Sequence, residues 1–288
     1  MKNPFFGTIV PLITPFDGGE VDYPALERLI AYCTEGGADG FVCLGTTAEA
    51  PTLNEREKRE ILAFTLKRAG GLPVIAGAGS NCTREAIRLT ALFEKDGANG
   101  VLSVCPYYNK PPESGIIAHF EQIAKSTRLP VILYDVPQRT GKEITANAAN
   151  ILKRIPNVVA IKEAGDTAHL LAMRSVCDGD LALLGGNDAL ISQTMKLGGA
   201  GMISAAANVM PKTVSGAVRL YGSSVRLADG VIEGAAEAIA ALQIEINPVP
   251  LKYALFKKGL IKNELRLPMC PLSRKKEALI DRLINTFI

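Results

Sequence analysis

A lysine at the end of a short apolar run is the residue of this sequence best suited to act as a nucleophile. Residues 158–161 read Val-Val-Ala-Ile, and Lys162 follows directly. A short β-branched run of this kind predicts a strand that is buried on both faces, as in a parallel sheet. An ammonium group at the end of such a strand is poorly hydrated, which favours the neutral amine that attacks a carbonyl carbon. The pattern indicates a Schiff-base lysine, and the alternative is a lysine that reaches solvent or pairs with Glu163.

Other residues with useful chemistry also follow apolar runs. Thr46 and Thr47 offer two hydroxyls and successive backbone amides, a combination that binds a carboxylate. Tyr134 offers a phenol for proton transfer, and Arg139 offers a planar guanidinium that pairs with a carboxylate through two hydrogen bonds. Tyrosines and glycines occupy further positions of this kind, at Tyr107, Tyr108, Gly185 and Gly186. Brought together, these groups suit an aldol-type enzyme.

The spacing of the apolar runs predicts how these residues are positioned. The first run spans residues 7–13, and the others end near Gly45, Gly77, Pro106, Tyr134, Lys162, Gly185 and Ser204. Strands of this kind, separated by amphipathic segments of helical length, predict a closed (β/α)8 TIM barrel rather than an open sheet. The active site of such a barrel lies at the carboxyl ends of the strands, so we expect the residues named above to converge there.

A glycine-rich turn from helix to strand occurs at residues 36–40, 96–100 and 198–201. Glycine after a helix end adopts the left-handed conformation that redirects the chain, so the three copies support a repeated strand-helix unit. After Met210 the pattern is helical as far as Ile288, with prolines at 248 and 250. The sequence therefore predicts an α/β protein with a catalytic barrel over residues 1–224. An appended C-terminal helical layer over residues 225–288 is expected to pack on it.

Composition narrows the class of protein. Of 288 residues, 48% are hydrophobic and 21% are charged, with a formal net charge of +3. These values are ordinary for a globular chain and indicate neither disorder nor a nucleic-acid partner. The six cysteines lack the paired spacing of a zinc or redox motif, which predicts buried thiols in a reducing compartment. Because no signal peptide or membrane span is visible, we expect a cytoplasmic protein with no membrane partner.

Four motifs occur in order at the expected strand ends. They are Gly-Thr-Thr-x-Glu from Gly45, Pro-Tyr-Tyr-Asn from Pro106, Tyr-x-Val-Pro-x-Arg-Thr-Gly from Tyr134 and Ile-Lys-Glu-Ala from Ile161. Together they resemble the dihydrodipicolinate synthase group of the pyruvate-dependent Schiff-base lyases. The resemblance covers the whole chain and includes the late segment 247–252, Asn-Pro-Val-Pro-Leu-Lys.

The resemblance implies roles for the residues that carry it. Lys162 would form the Schiff base with pyruvate, and Tyr134 would act as the general acid and base. Thr46 and Tyr108 would complete the proton relay, with Tyr108 reaching the site of a neighbouring subunit. Thr46 and Thr47 would hold the carboxylate of pyruvate. The implied assembly is a homotetramer built as a dimer of dimers.

The second substrate implied by the resemblance is L-aspartate 4-semialdehyde. Arg139 would bind its carboxylate, and Gly186 and Ile203 would line the pocket. The product would be 4-hydroxy-tetrahydrodipicolinate, on the route to lysine and diaminopimelate. Neither a metal nor an organic cofactor is expected. Two residues depart from the usual pattern: Ala48 replaces a glycine, and Asp135 replaces a frequent asparagine.

Several relatives in this group are inhibited by lysine at a subunit interface, and part of that site is present here. Asn81, Glu85 and Tyr107 match residues that would hold the ligand. The two histidines of lysine-sensitive relatives are absent, and Lys58 stands at one of their positions. A cation there opposes the ammonium group of the ligand unless a carboxylate such as Glu55 lies between them. We therefore expect weak inhibition or none.

Two other functions remain open at this point. The first is a pyruvate Schiff-base lyase acting on a sugar acid such as N-acetylneuraminate or 2-keto-3-deoxygluconate, with the same lysine and tyrosine. Arg139 favours the short acidic aldehyde, because sugar-acid lyases generally carry other residues at that position. The second is a catalytically silent barrel that binds a small ligand, which the complete catalytic set disfavours.

Overall fold

Eight parallel strands close into a barrel in the order in which they occur along the chain. The computed structural model describes residues 1–287. The barrel strands are β1 Gly7–Pro11, β2 Gly40–Cys43, β3 Val74–Gly77, β4 Gly100–Val104, β5 Val131–Asp135, β6 Val158–Glu163, β7 Ala182–Gly185 and β8 Gly201–Ile203. Strand β8 pairs with β1 and completes the ring. The predicted fold class is confirmed.

A helix follows each barrel strand. These helices are α1 Tyr23–Glu35, α2 Glu55–Arg68, α3 Thr83–Lys95, α4 Glu113–Lys125, α5 Ala146–Leu152, α6 Thr167–Arg174, α7 Ile191–Lys196 and α8 Pro211–Leu220. Their starts follow local capping chemistry. The side chain of Asp22 accepts a hydrogen bond from Ala25 N at the start of α1. Asn54 and Glu57 form a reciprocal capping box at the start of α2.

Short elements interrupt the regular alternation at the carboxyl end of the barrel. A two-stranded hairpin, Phe16–Asp17 with Glu20–Val21, follows β1. One-turn helices lie after β2 at Thr46–Ala48 and Ala50–Thr52, and after β5 at Pro137–Thr140. Two of these elements carry residues that the sequence marks as chemical: Thr46 and Thr47 lie on the turn after β2, and Arg139 lies on the one-turn helix after β5.

Side-chain alternation divides the apolar core into two layers. In β5 and β6, Leu133 and Ile161 belong to the layer between strands and helices. Ile132 and Ala160 belong to the barrel interior, together with Tyr134. Since successive side chains point to opposite faces of a strand, Lys162 shares the interior face with Ala160.

The C-terminal region consists of three helices: α9 Val225–Ala241, α10 Val249–Lys257 and α11 Arg274–Phe287. Helix α9 packs on α8 and α7 of the barrel, and α11 packs on α9 and α10. The division of the chain at residue 225 remains a prediction, and α9 begins at that residue. Ile288, the predicted end of the helical layer, lies outside the described residues. Over residues 1–287, no helix is long and apolar enough to cross a membrane.

A buried ion pair joins α10 to the barrel. Lys252 Nζ lies 2.5 Å from Glu49 Oε1, and both side chains are almost completely inaccessible to solvent. Lys252 also donates to Glu264 O at 2.8 Å and lies 4.1 Å from the centre of the Phe16 ring. Burial lowers the pKa of Lys252 to about 8, and the charge of Glu49 opposes that shift. The pair fixes the residue that directly follows the Thr46–Ala48 turn.

This pair predicts a large effect of single substitutions. Lys252→Met leaves the Glu49 carboxylate buried without its cationic partner, so we expect the free energy of unfolding to fall by about 3–5 kcal/mol. The double variant Glu49→Gln with Lys252→Met removes both charges and should recover most of that loss. Urea unfolding measures each value.

Lys257→Met is the matched control on the same helix. Lys257 pairs with Asp281 at 3.0 Å, and both side chains are more than a third exposed. We expect its loss to cost at most about 1 kcal/mol. Equal losses for Lys252→Met and Lys257→Met would show that the buried pair has no special role.

Candidate active site

A cavity of about 540 Å³ lies at the carboxyl end of the barrel. Three of the predicted substrate-site residues line it: Thr46, Tyr134 and Arg139. The C-terminal region covers it with Asn247, Pro248, Pro268 and Met269. These three residues lie at the ends of two different strands and line one cavity, and the roles assigned to them stay predictions. The covering residues come from a segment far along the chain.

Lys162 and Tyr134 are neighbours on two adjacent, hydrogen-bonded strands. They occupy paired positions of β6 and β5. Lys162 Nζ lies 4.3 Å from the centre of the Tyr134 ring, and each side chain is 7% exposed. Glu163 is the next residue along the strand and therefore faces the opposite way. This geometry does not fit a lysine that reaches solvent or pairs with Glu163.

Gly186 and Ile203 lie beside this pair. A Cβ on Gly186 would stand 2.7 Å from Lys162 Cε and 2.8 Å from the Cβ of Ala164, so only glycine leaves room for the lysine side chain. Ile203 is completely buried and packs in the interior cluster that contains Tyr134. The structure thus brings Lys162, Tyr134, Gly186 and Ile203 together.

The Thr46–Ala48 turn is held by its own backbone. Ala48 N and Glu49 N donate to Gly45 O and Thr46 O. Two non-glycine residues that flank the turn have a positive φ: Leu44 at 60° and Glu49 at 54°. Each such non-glycine conformation costs on the order of 1–3 kcal/mol. Ala48 is not among the residues with positive φ, so alanine fits this position without backbone strain.

Asn247 connects the two predicted carboxylate-binding groups. Its Nδ2 donates to Thr47 Oγ1 at 3.0 Å, and its backbone oxygen accepts from Arg139 Nη2 at 3.2 Å. Its Oδ1 is buried and has no hydrogen-bond partner within the described residues. No local sequence pattern indicates a role for Asn247, although it lies in one of the matching segments.

Arg139 lies on the one-turn helix Pro137–Thr140 after β5. The same turn is tied to the end of β6, because Gln138 Nε2 donates to Ala164 O at 2.6 Å. Across residues 1–287, no carboxylate forms an ion pair with Arg139, whereas many other arginines have such a partner. The guanidinium therefore faces the cavity with its capacity for an anion unused.

The adjacent tyrosines Tyr107 and Tyr108 have different surroundings. Tyr107 lines the cavity and is 39% exposed. Tyr108 is 88% exposed, has a φ of 71° and does not line the cavity of its own chain. The structure therefore does not bring Tyr108 to Tyr134, and a role for Tyr108 requires a second copy of the chain.

Two of the predicted regulatory residues reach the same cavity. Glu85 and Tyr107 line it together with Lys58. Glu85 is held by Arg88 through two hydrogen bonds of 2.9 Å, and Arg88 also pairs with Glu55 at 2.6 Å. The backbone oxygen of Asn81 accepts from Asn109. Glu85 in the cavity and Glu55 outside its lining therefore already share Arg88 as a cationic partner.

Comparisons with known proteins agree with this geometry. The sequence model of the Dihydrodipicolinate synthetase family matches residues 4–286. A 4-hydroxy-tetrahydrodipicolinate synthase from Alkaliphilus oremlandii is 39% identical over 97% of this chain and 98% of its own.

Solved structures agree as well. Dihydrodipicolinate synthase from Thermotoga maritima has a TM-score of 0.97 at 37% identity, with 99% of each chain covered. A monomeric dihydrodipicolinate synthase variant has a TM-score of 0.96 at 37% identity, covering 99% of this chain and 98% of its own. The match spans the barrel and the C-terminal helices alike, and the chain belongs to the dihydrodipicolinate synthetase family.

Proposed function

We propose that this protein condenses pyruvate with L-aspartate 4-semialdehyde to give 4-hydroxy-tetrahydrodipicolinate. The observation that carries the proposal is the buried amine of Lys162, 4.3 Å from the Tyr134 ring at the carboxyl end of the barrel. An amine nucleophile next to a phenol is the minimum needed to form and use a Schiff base with a keto acid. The product leads to lysine and diaminopimelate.

The chemistry proceeds through an enamine. The neutral amine of Lys162 attacks C2 of pyruvate, and loss of water leaves an iminium that withdraws electrons from C3. Loss of a C3 proton gives the enamine, whose C3 attacks the aldehyde carbon of the second substrate. The amine of that substrate then attacks C2, closes the ring and releases Lys162. Tyr134 transfers the protons, because its phenol is the acid-base group nearest to Lys162 along the strand pair.

Two different groups bind the two carboxylates. The Thr46–Ala48 turn offers hydroxyls and backbone amides to pyruvate. Arg139 offers a planar guanidinium to the second substrate. Asn247 contacts both, through Thr47 Oγ1 and Arg139 Nη2, and so keeps the two sites at a fixed separation. The unpaired guanidinium favours an acidic aldehyde over a neutral sugar.

We also propose that the enzyme works in the cytoplasm as a homotetramer built as a dimer of dimers. Tyr108 supports this assembly, because an 88% exposed tyrosine held in a left-handed conformation is suited to insertion into a neighbouring subunit. It would extend the proton relay from Thr46 in that subunit's site. One similar structure is a monomeric variant, so the proposed tetramer needs a direct test. Sedimentation velocity measures the oligomeric state of this protein.

The first prediction from the proposed function concerns the nucleophile. Borohydride added with pyruvate should fix a three-carbon unit on Lys162, because reduction of the imine makes the bond permanent. Mass spectrometry of the peptides locates the adduct. Lys252 is the internal control, since it is also buried and its pKa is lowered to about 8. An adduct on Lys252 would rule out the mechanism. No adduct on any lysine would rule it out as well and would favour a silent barrel.

The second prediction concerns substrate choice. Arg139→Ala should keep the pyruvate adduct but lose synthase turnover by about 2–4 kcal/mol of transition-state stabilisation, the range for a charge-assisted contact. Arg139→Lys, which keeps the charge without the planar fork, should have a synthase turnover between those of the wild type and Arg139→Ala. Steady-state kinetics with both substrates measures the loss. Efficient cleavage of N-acetylneuraminate by the wild-type protein, without synthase activity, would favour the sugar-acid lyase.

The third prediction concerns regulation. We expect weak inhibition or none by millimolar lysine, because Lys58 lines the cavity and Arg88 already pairs with Glu85 and Glu55. Initial rates against added lysine at fixed pyruvate measure the effect. Lys58→His is the matched variant and should increase any inhibition. Cooperative inhibition of the wild type with a midpoint below about 1 mM would contradict the prediction. That midpoint corresponds to a binding free energy of lysine near about −4 kcal/mol.

A further inference from the structure

Two buried carboxyl groups lie directly behind the catalytic pair. Asp135 is 0% exposed and Glu163 is 3% exposed. They occupy paired positions of β5 and β6, one residue beyond the pair formed by Tyr134 and Lys162. Since side chains alternate along a strand, Tyr134 and Lys162 face the barrel interior, whereas Asp135 and Glu163 face the helices.

Each carboxyl group has one satisfied oxygen and one unsatisfied oxygen. Asp135 Oδ1 accepts from Ile144 N at 2.8 Å, and Glu163 Oε1 accepts from Gly165 N at 2.6 Å. Asp135 Oδ2 and Glu163 Oε2 are buried without a hydrogen-bond partner in the described part of the chain. Neighbouring strands lie about 4.8 Å apart, so side chains at paired positions on one face are within reach of each other. Two facing ionised carboxylates in a dry layer would both repel and remain unsolvated.

The surrounding charges do not neutralise the two groups. The charge of His169 opposes the rise in the pKa of both groups, but its ring nitrogens lie 2.8 Å from Asp166 and from Glu143, so two other carboxylates share that charge. Burial, followed by the charge of Glu163, raises the pKa of Asp135, and burial raises the pKa of Glu163. The other titratable groups near the two carboxyls are Cys105, Lys142 and Cys177. Burial raises the pKa of both thiols to about 12, so they remain neutral.

We propose that Asp135 carries a proton and donates it in a hydrogen bond to Glu163, and that this shared proton fixes the strand pair presenting Tyr134 and Lys162. One proton satisfies both orphan oxygens and removes one of two facing charges. Asp135 is thus a positioning residue. The positioning role rests on the proposed function, whereas the proton itself does not.

The shared proton makes stability depend on pH in a definite direction. In the unfolded chain both groups ionise near their ordinary values, at about pH 4. The folded chain keeps the proton to higher pH, so above that value it binds more protons than the unfolded chain does. The free energy of unfolding therefore falls as pH rises toward the folded-state values. An asparagine at position 135 would donate the same hydrogen bond at every pH and would reduce this loss.

Infrared spectroscopy tests the proton without reference to activity. The difference spectrum between the wild type and Asp135→Asn at about pH 7 should contain the carbonyl stretch of one protonated carboxyl group. Asp188, another buried carboxyl with a raised pKa, is present in both proteins and cancels. In Glu163→Gln the band should persist and disappear at lower pH than in the wild type, because the second charge is gone. Absence of the band from the wild type at neutral pH overturns the proposal.

Thermal unfolding and kinetics test the positioning role. From about pH 4, where the groups ionise in the unfolded chain, to about pH 8, the folded-state pKa of Asp135, the melting temperature of the wild type should fall, and that of Asp135→Asn should fall less. The kcat of the variant should likewise be retained at alkaline pH where that of the wild type declines, with little change in KM. Asp178→Asn, at an exposed carboxylate paired with Lys153, is the control and should follow the wild type. Identical pH profiles for the wild type and Asp135→Asn would refute the positioning role, even if Lys162 still forms its pyruvate adduct.

Discussion

The register between β5 and β6 is the constraint on which the rest of the site depends. Because the side-chain period of a strand is two residues, a one-residue slip of either strand would turn its own chemical residue, Tyr134 or Lys162, toward the helices and bring the adjacent carboxyl group, Asp135 or Glu163, into the barrel. Apolar residues specify this register on both faces, with Ile132 and Ala160 inside and Leu133 and Ile161 outside. The orientation of Tyr134 and Lys162 is therefore a consequence of strand pairing.

The C-terminal region depends on the same end of the barrel. Lys252 pairs with Glu49, Arg266 N donates to Glu49 Oε2, and Asn247 bonds to Thr47. These contacts offset the strain of the left-handed residues that flank the Thr46–Ala48 turn. Removing either partner of the buried pair would leave an uncompensated charge next to the turn, so the stability of the helical layer and the shape of the substrate site are linked.

The sequence predicted what local patterns encode. The barrel strands end within a few residues of the predicted positions, since β-branched runs and glycine turns are local features. Asn247 was missed because its contacts with Thr47 and Arg139 cross most of the chain. Lys252 left a visible sign, a single charge in the apolar stretch 249–255 that is buried on all sides. An ionisable residue in such a helix needs a buried partner, and composition alone does not say which one. The exposure of Tyr108 depends on the conformation of its loop, which hydrophobic periodicity does not predict.

The difference between the two carboxylate-binding groups follows from the charge on the Schiff base. An iminium at Lys162 is a fixed cation in a barrel of low dielectric, where a second cation a few ångströms away would oppose its formation. In the proposed mechanism the Thr46–Ala48 turn would bind the carboxylate of pyruvate through hydroxyls and amides, which carry no net charge and so avoid that penalty. Arg139 lies on a helical turn after β5, where its half-exposed position lets solvent screen it from Lys162. In the proposed mechanism, a neutral group near the nucleophile and a guanidinium near solvent would thus let two anionic substrates bind without placing a second cation beside the Schiff base.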